Sequence, residues 1–305
     1  MTLYSDGWWQ SADGLRLHYR DYPGHDTGNS PDHGAGLPPI VCLPGLTRNA
    51  RDFAKLAEWL SSDAGGGWRV LCPEMRGRGL SAYAENWQSY HPYQYNDDVL
   101  RLLDGLGIAQ FVAIGTSLGG LMTMLIAART PERLAGALLN DIGPELVPEG
   151  LVRIATYVGR DVRYPGWAAA VAAQRAEFGA AFPGRSDESW LTNARRLMVE
   201  DADGTVRFDY DVRIAEPFRQ GVTGPMPDLW PAYEALRATA ECPVLVLRGG
   251  LSDLLSEAAF ARMGERLPGA RLATVAGVGH APALDEPEAV AAITDWLAAI
   301  REHRA

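Results

Sequence analysis

The stretch Phe111-Val112-Ala113-Ile114-Gly115-Thr116-Ser117-Leu118-Gly119 decides the reading of this chain. Its first four residues are an apolar run with strand character, and from Leu118 to Arg129 apolar residues recur every three to four positions until Pro131 stops the pattern. A buried strand that turns sharply into a helix lifts the oxygen of the intervening serine out of the backbone. The same turn aims the first amides of the helix at whatever that oxygen attacks. In a chain with 33 glycines the pattern Gly-x-Ser-x-Gly carries little weight alone. Its flanks and partners must make the case.

Outward from this junction, residues 14–141 alternate strand-like runs with helical segments, the mark of a mostly parallel sheet covered on both faces. Leu15 to Tyr19 alternates like an exposed edge strand, whereas Ile40 to Leu43, Val70 to Cys72, Phe111 to Ile114 and Ala137 to Leu139 read as strands buried on both faces. Helices are predicted over Asp52 to Leu60, Asn96 to Leu106 and Leu118 to Arg129. Between Gly143 and Pro227 the rhythm fails, and amphipathic stretches such as Trp167 to Phe178 and Ser189 to Met198 indicate a helical insertion. From Asp228 the alternation resumes with a helix, the run Val244 to Leu247, a helix over Glu257 to Leu267, the run Arg271 to Val275 and a last helix from Pro287 to Arg301. The expected fold class is therefore α/β, a doubly wound, mostly parallel sheet. Residues 1–142 and 228–305 form its core and 143–227 a helical cap. The Gly/Pro/Asp/His-rich stretch from Pro23 to Pro39 reads as a surface loop.

Bulk properties exclude several function classes. A net charge of -10 without clustered Lys and Arg disfavours nucleic acid and anionic membrane surfaces as partners. The first residues have no signal-peptide character, and no run reaches the ~18 apolar residues of a membrane span, so the expected location is cytoplasmic. Three cysteines make no disulfide framework, and Cys42 and Cys72 read as buried apolar residues. The reading includes no cofactor and no metal, and its partner is a small-molecule substrate.

Serine is a weak nucleophile, so Ser117 needs a base and a group that orients the base. His280, in Val278-Gly279-His280 after the Arg271 to Val275 run, sits where open α/β sheets place their chemistry. His18, His25, His33 and His303 read as surface-loop histidines, and His91, among Trp87, Tyr90, Tyr93 and Tyr95, as a structural or pocket-lining one. Asp253, after the Val244 to Leu247 run, is the expected orienting acid, with Asp141, after the Ala137 to Leu139 run, as its rival. For an oxyanion, the expected donors are the backbone amides of Leu118 and Leu46. Pro44 has no N–H to offer, and Gly45 lets that backbone come close.

These motifs resemble the α/β-hydrolase fold superfamily, in particular its cap-bearing single-domain enzymes. The resemblance rests on Leu43-Pro44-Gly45-Leu46, on Pro73 through Ser81, on the Ser117 turn, and on the Asp253 and His280 turns. Pro44 stands where many relatives have histidine, and Glu74 where aspartate is usual. Arg76 and Arg78 are expected to hold their loop by hydrogen bonds. Haloalkane dehalogenases and epoxide hydrolases of this superfamily carry aspartate in place of Ser117, so the resemblance implies acyl transfer instead. The expected activity is serine hydrolysis of a small, largely apolar ester, lactone or amide. The alternatives are cleavage of carbon-carbon bonds in β-diketone or ring-cleavage products with the same triad, and a non-catalytic ligand receptor on the same fold. In the cap, Tyr157, Trp167, Phe178, Phe182 and Trp190 offer either substrate contacts or packing against the core. The absence of a basic cluster in the cap argues against a polyanionic substrate.

Overall fold

A computed structural model describes residues 3–24, 36–223, 227–237 and 243–304. The chain enters through an antiparallel hairpin, β1 (Ser5–Gln10) and β2 (Arg16–Tyr22), and continues with β3 (Ile40–Leu43), α1 (Ala54–Ser61), β4 (Val70–Pro73), α2 (Pro92–Gly105), β5 (Phe111–Thr116), α3 (Leu118–Arg129) and β6 (Leu134–Asn140). An insertion then carries α4 (Pro148–Tyr157), β7 (Arg163–Tyr164), α5 (Trp167–Phe178), α6 (Asp187–Leu197), β8 (Met198–Glu200), β9 (Val206–Phe208) and α7 (Ala215–Thr223). After α8 (Trp230–Glu234) the main sheet is completed by β10 (Val244–Gly249), α9 (Glu257–Arg266), β11 (Arg271–Val275) and α10 (Pro287–Glu302).

The main sheet has eight strands in the order β1-β2-β4-β3-β5-β6-β10-β11, parallel from β4 onward. Helices cover both faces, which is why the central strands are unbroken apolar runs. Phe53, just before α1, and Leu56 and Leu60 of α1 join Ile293 and Trp296 of α10 on one face. Val99 and Leu102 of α2, Met122 of α3 and Met263 of α9 pack on the other.

Two features depart from the sequence reading. The Leu15–Tyr19 run belongs to β2, which is an inner strand with Leu17 and His18 fully buried; the edge is β1, whose sequence Ser-Asp-Gly-Trp-Trp-Gln carries no apolar alternation to mark it. The insertion is mainly helical but also holds a three-stranded antiparallel sheet, β7-β9-β8, over a small core of Ala170, Leu197, Met198 and Val206. Its hairpin had a legible signal in Asp203-Gly204, with Gly204 at φ 82°. Cys42 and Cys72 are buried and unpaired as expected; Cys242, His25, His33 and most of the Pro23–Pro39 loop lie outside the described residues. Among the described residues no helix is long and apolar enough to cross a membrane.

Register decides where chemistry can sit. Leu43 pairs with Gly115, Thr116 with Asn140, and Asn140 with Leu247, so β3, β5, β6 and β10 end at one level. The residues that follow these ends share one rim, the usual ligand side of an open α/β sheet.

Candidate active site

Ser117 leaves β5 with φ 52° and ψ -113°, a conformation costly for a residue with a side chain. Close approach imposes the flanking glycines. A Cβ at Gly115 would lie 2.4 Å from the Gly119 carbonyl oxygen, and one at Gly119 would lie 2.0 Å from the Leu43 carbonyl oxygen. The turn is thus wedged between β3 and the start of α3, and its strain is held by packing on both sides.

Ser117 Oγ lies 2.9 Å from His280 Nε2, and His280 Nδ1 lies 2.7 Å from Asp141 Oδ2. Asp141 directly follows β6 at φ 56° and its side chain is fully buried. Its carboxylate also accepts the Gly249 amide (2.8 Å) and the Ser252 hydroxyl (2.7 Å). As an ionised acceptor it can only receive hydrogen bonds, which sets the histidine tautomer: Nδ1 carries the proton, and Nε2 presents a lone pair to Ser117. The arrangement can remove the serine proton and stabilise the resulting imidazolium. The loop bearing His280 is held by Asn140 Nδ2, which donates to the Pro282 carbonyl (2.9 Å), and by the Gly279 amide, which donates to Ala181 of the insertion (2.7 Å).

The structure therefore brings Ser117 and His280 together but puts Asp141, not Asp253, on the histidine. Asp253 lies at the surface, 46% exposed, and pairs with both Arg153 Nε and Nη2, the latter at 2.8 Å. Partial burial works to raise its pKa, but the Arg153 hydrogen bonds and charge win and hold it below the usual carboxylate value. The end of β10 contributes to the site through Gly249 and Ser252, which brace Asp141.

Leu118 and Leu46 both line the cavity that contains Ser117, and among the described residues neither backbone amide donates to a protein acceptor. A Cβ on Gly45 would sit only 3.8 Å from that of Ser117, so the Leu43–Leu46 loop passes directly by the serine. Arg78, fully buried, donates from Nε to the Leu46 carbonyl (2.9 Å) and from Nη1 to the Arg76 carbonyl and the Tyr95 hydroxyl. Arg76 is clamped by Asp98 and Asp13. Both arginines thus hold loops, as expected.

Other expectations meet mixed outcomes. His18, expected at the surface, is fully buried with Nδ1 on Glu74 (2.9 Å) and Nε2 on Asp6 (2.8 Å). It lies in β2, and the alternation that marked this strand as an edge hid the burial. Glu74 also accepts the Leu80 and Ala50 amides, so it organises the loop after β4 despite departing from aspartate. His91 caps α2 through the Gln94 amide, a structural role, and His303 is exposed at the end of α10.

The cavity measures about 590 Å³ and its lining is mainly apolar. Tyr157, Phe178 and Phe182 line it, whereas Trp190 is buried beside Phe182 and Trp167 packs on the insertion's small core. The fold adds a charge feature that the cap sequence alone does not carry. Arg48 and Lys55 from the core meet Arg185 and Arg196 from the insertion around this cavity, against only two carboxylates, Asp52 and Asp285. The basic cluster is absent from any one stretch of sequence because the fold assembles it from two.

Comparison with known proteins agrees with this architecture. The chain matches the model of the alpha/beta hydrolase family over residues 40–293. It is 35% identical over 259 residues to a 3-hydroxybutyrate-oligomer hydrolase of Cupriavidus necator, covering 83% of this chain and 85% of that protein. A 2-(acetamidomethylene)succinate hydrolase of Mesorhizobium japonicum is 26% identical over 290 residues, covering 90% and 92%. A crystal structure of an alpha/beta hydrolase from Novosphingobium aromaticivorans superposes with a TM-score of 0.88 at 50% identity, covering 98% of this chain and 99% of that one. With the strand order, the serine turn and these matches in agreement, the chain belongs to the alpha/beta hydrolase family and is a hydrolase.

Proposed function

We propose that this chain is a serine hydrolase of small, largely apolar carboxylic esters, with lactones and amides within its range, and that it works through an acyl-enzyme on Ser117. The observation that carries this reading is the unbroken relay from Ser117 Oγ through His280 to Asp141, at 2.9 Å and 2.7 Å, inside an apolar cavity. His280 Nε2 takes the serine proton as Oγ attacks the ester carbonyl carbon. The oxygen that gains negative charge is received by the Leu46 and Leu118 amides. The C–O bond to the leaving alcohol breaks as His280 returns the proton to that oxygen. Water, deprotonated by the same nitrogen, then attacks the acyl carbon; the collapsing intermediate frees the acid, and Ser117 Oγ recovers its proton from His280. In this reading residues 143–227 act as the cap, closing the cavity over the core formed by 1–142 and 228–305.

The Cupriavidus relative supports ester chemistry, since 3-hydroxybutyrate units joined end to end are linked by esters. The test is labelling with a fluorophosphonate, alongside turnover of short aryl esters and of a vinylogous diketone. Native protein should label, and Ser117→Ala and His280→Ala should not. Equal labelling of Ser117→Ala would overturn the mechanism, and diketone cleavage without ester turnover would replace ester by carbon-carbon hydrolysis.

A further inference from the structure

Among the four cations around the cavity, three have carboxylate neighbours. Arg48 pairs with Asp52, Lys55 Nζ lies 3.2 Å from Asp285, and Arg196 Nη2 lies 3.8 Å from the same aspartate. Arg185 differs: among the described residues its guanidinium has neither a hydrogen-bond acceptor nor an ion-pair partner. Glu286, the other nearby carboxylate, is directed to the Ala283 amide at 2.8 Å.

The Arg185 guanidinium is nevertheless held in place. Its carbon lies 4.0 Å from the Phe182 ring centroid and 4.7 Å from that of Trp190, and the two rings meet edge to face. Cation–π contact fixes the group without neutralising it. Ala181, next to Phe182, accepts the Gly279 amide beside His280, so this cation is tied to the loop that carries the candidate base. A half-buried cation with no carboxylate in direct contact, only Glu286 and Asp285 at longer range, is costly, and the cost is recovered when an anion arrives. The surplus of positive charge at this cavity, in a chain of net charge -10, draws the same kind of ligand.

Resting on the ester-hydrolase reading above, we propose that Arg185 is a specificity residue that binds a free carboxylate on the substrate: the preferred ester is a small apolar one bearing a single acid group, on either its acyl or its alcohol part. The planar guanidinium suits bidentate carboxylate binding, and the apolar lining takes the carbon skeleton. Burial, reinforced by the Arg48 charge, lowers the Arg185 pKa to about 10, which leaves it charged at neutral pH and in need of an anion.

The test compares two anionic esters, mono-4-nitrophenyl adipate and 3-(butanoyloxy)butanoate, each with its neutral primary amide counterpart. Native protein should prefer at least one anionic ester in kcat/KM. Arg185→Gln should lower that preference by about 10- to 100-fold, the weight of a charge-assisted hydrogen bond, and Arg185→Lys should restore part of it. Fluorophosphonate labelling and the melting temperature of each variant separate lost recognition from lost folding. No preference in native protein for either anionic ester, or a preference that survives in a folded Arg185→Gln, would overturn the proposal while leaving ester hydrolysis standing. Absence of all ester turnover together with absent labelling would overturn both.

Discussion

Asp141→Asn tests the placement of the acid most directly, because the environment of its carboxylate is fully specified. Three donors converge on it: the Gly249 amide at 2.8 Å, the Ser252 hydroxyl at 2.7 Å and His280 Nδ1 at 2.7 Å. In the asparagine variant the amide oxygen can keep the Gly249 bond only if its NH2 faces His280. The imidazole must then turn Nδ1 into an acceptor and move its proton to Nε2, where it points at Ser117 and cannot take the serine proton. The alternative flip sets the NH2 against the Gly249 N–H and leaves a buried donor unpaired, at about 1–3 kcal/mol. Loss of the correct tautomer in a Ser-His-Asp system costs about 10⁴-fold in kcat, roughly 5 kcal/mol of barrier. Asp253→Asn removes a pair with Arg153 in which both side chains are over a third exposed, and should change kcat by less than about twofold and stability by at most about 1 kcal/mol. The assay is steady-state aryl-ester turnover, with the fluorophosphonate labelling rate as a second readout and melting temperature as the folding check. A thousandfold loss in Asp253→Asn, with Asp141→Asn near native, would refute the assignment.

Gly119→Ala places a Cβ 2.0 Å from the Leu43 carbonyl oxygen, backbone that cannot step aside; destabilisation by about 2 kcal/mol or more is expected in urea titration. Burial works to lower the His18 pKa, but Glu74 and then Asp6 outweigh it and the net shift is upward from 6.5. Its charge therefore stabilises the fold fully below that value and less as pH rises through the folded one. Urea midpoints should fall across this window in native protein and fall less in His18→Gln, and parallel profiles would refute the coupling. Arg78→Lys loses the fork that reaches Leu46, Arg76 and Tyr95 at once, and should lower kcat by about 10-fold or more through a loosened Leu46 loop. A lowered melting temperature at unchanged kcat would show that Arg78 only stabilises.

Periodicity made the sheet and most helices legible: α3 and α5 begin and end at the expected residues, because each lies between a clear start and stop. The insertion hid its small sheet, since strands of two and three residues leave no period to detect. The serine and histidine were legible because each sits in a glycine-flanked turn after a strand. His18 was misread because an alternating strand looks the same at an edge and one place in from it. The basic cluster was invisible for a different reason: Arg48 and Arg185 are far apart in sequence, and only the closure of the insertion over the core brings them to one cavity.

The acid is a sharper case, because two aspartates follow strands that end level and both satisfy the chain order serine, aspartate, histidine. What separates them is local support. Asp141 leaves β6 at once, with its amide on the Leu247 carbonyl and its side chain fully buried, while Asp253 lies four residues beyond β10 and has already reached solvent. Position alone should then allow the acid to be moved. Ser252 Oγ touches the same Asp141 oxygen that His280 does, so a carboxylate at 252 extends one bond length toward that spot, with the Gly249 amide beside it. An aspartate there can still cap the Leu254 and Leu255 amides, which Ser252 Oγ now accepts. The double variant D141A/S252D should therefore recover about 10-fold or more in kcat over Asp141→Ala alone, while D141A with an unchanged Ser252 stays inactive. If the double variant folds, by melting temperature, and recovers nothing, then the histidine needs the orientation that β6 alone imposes, and a carboxylate within reach is not enough.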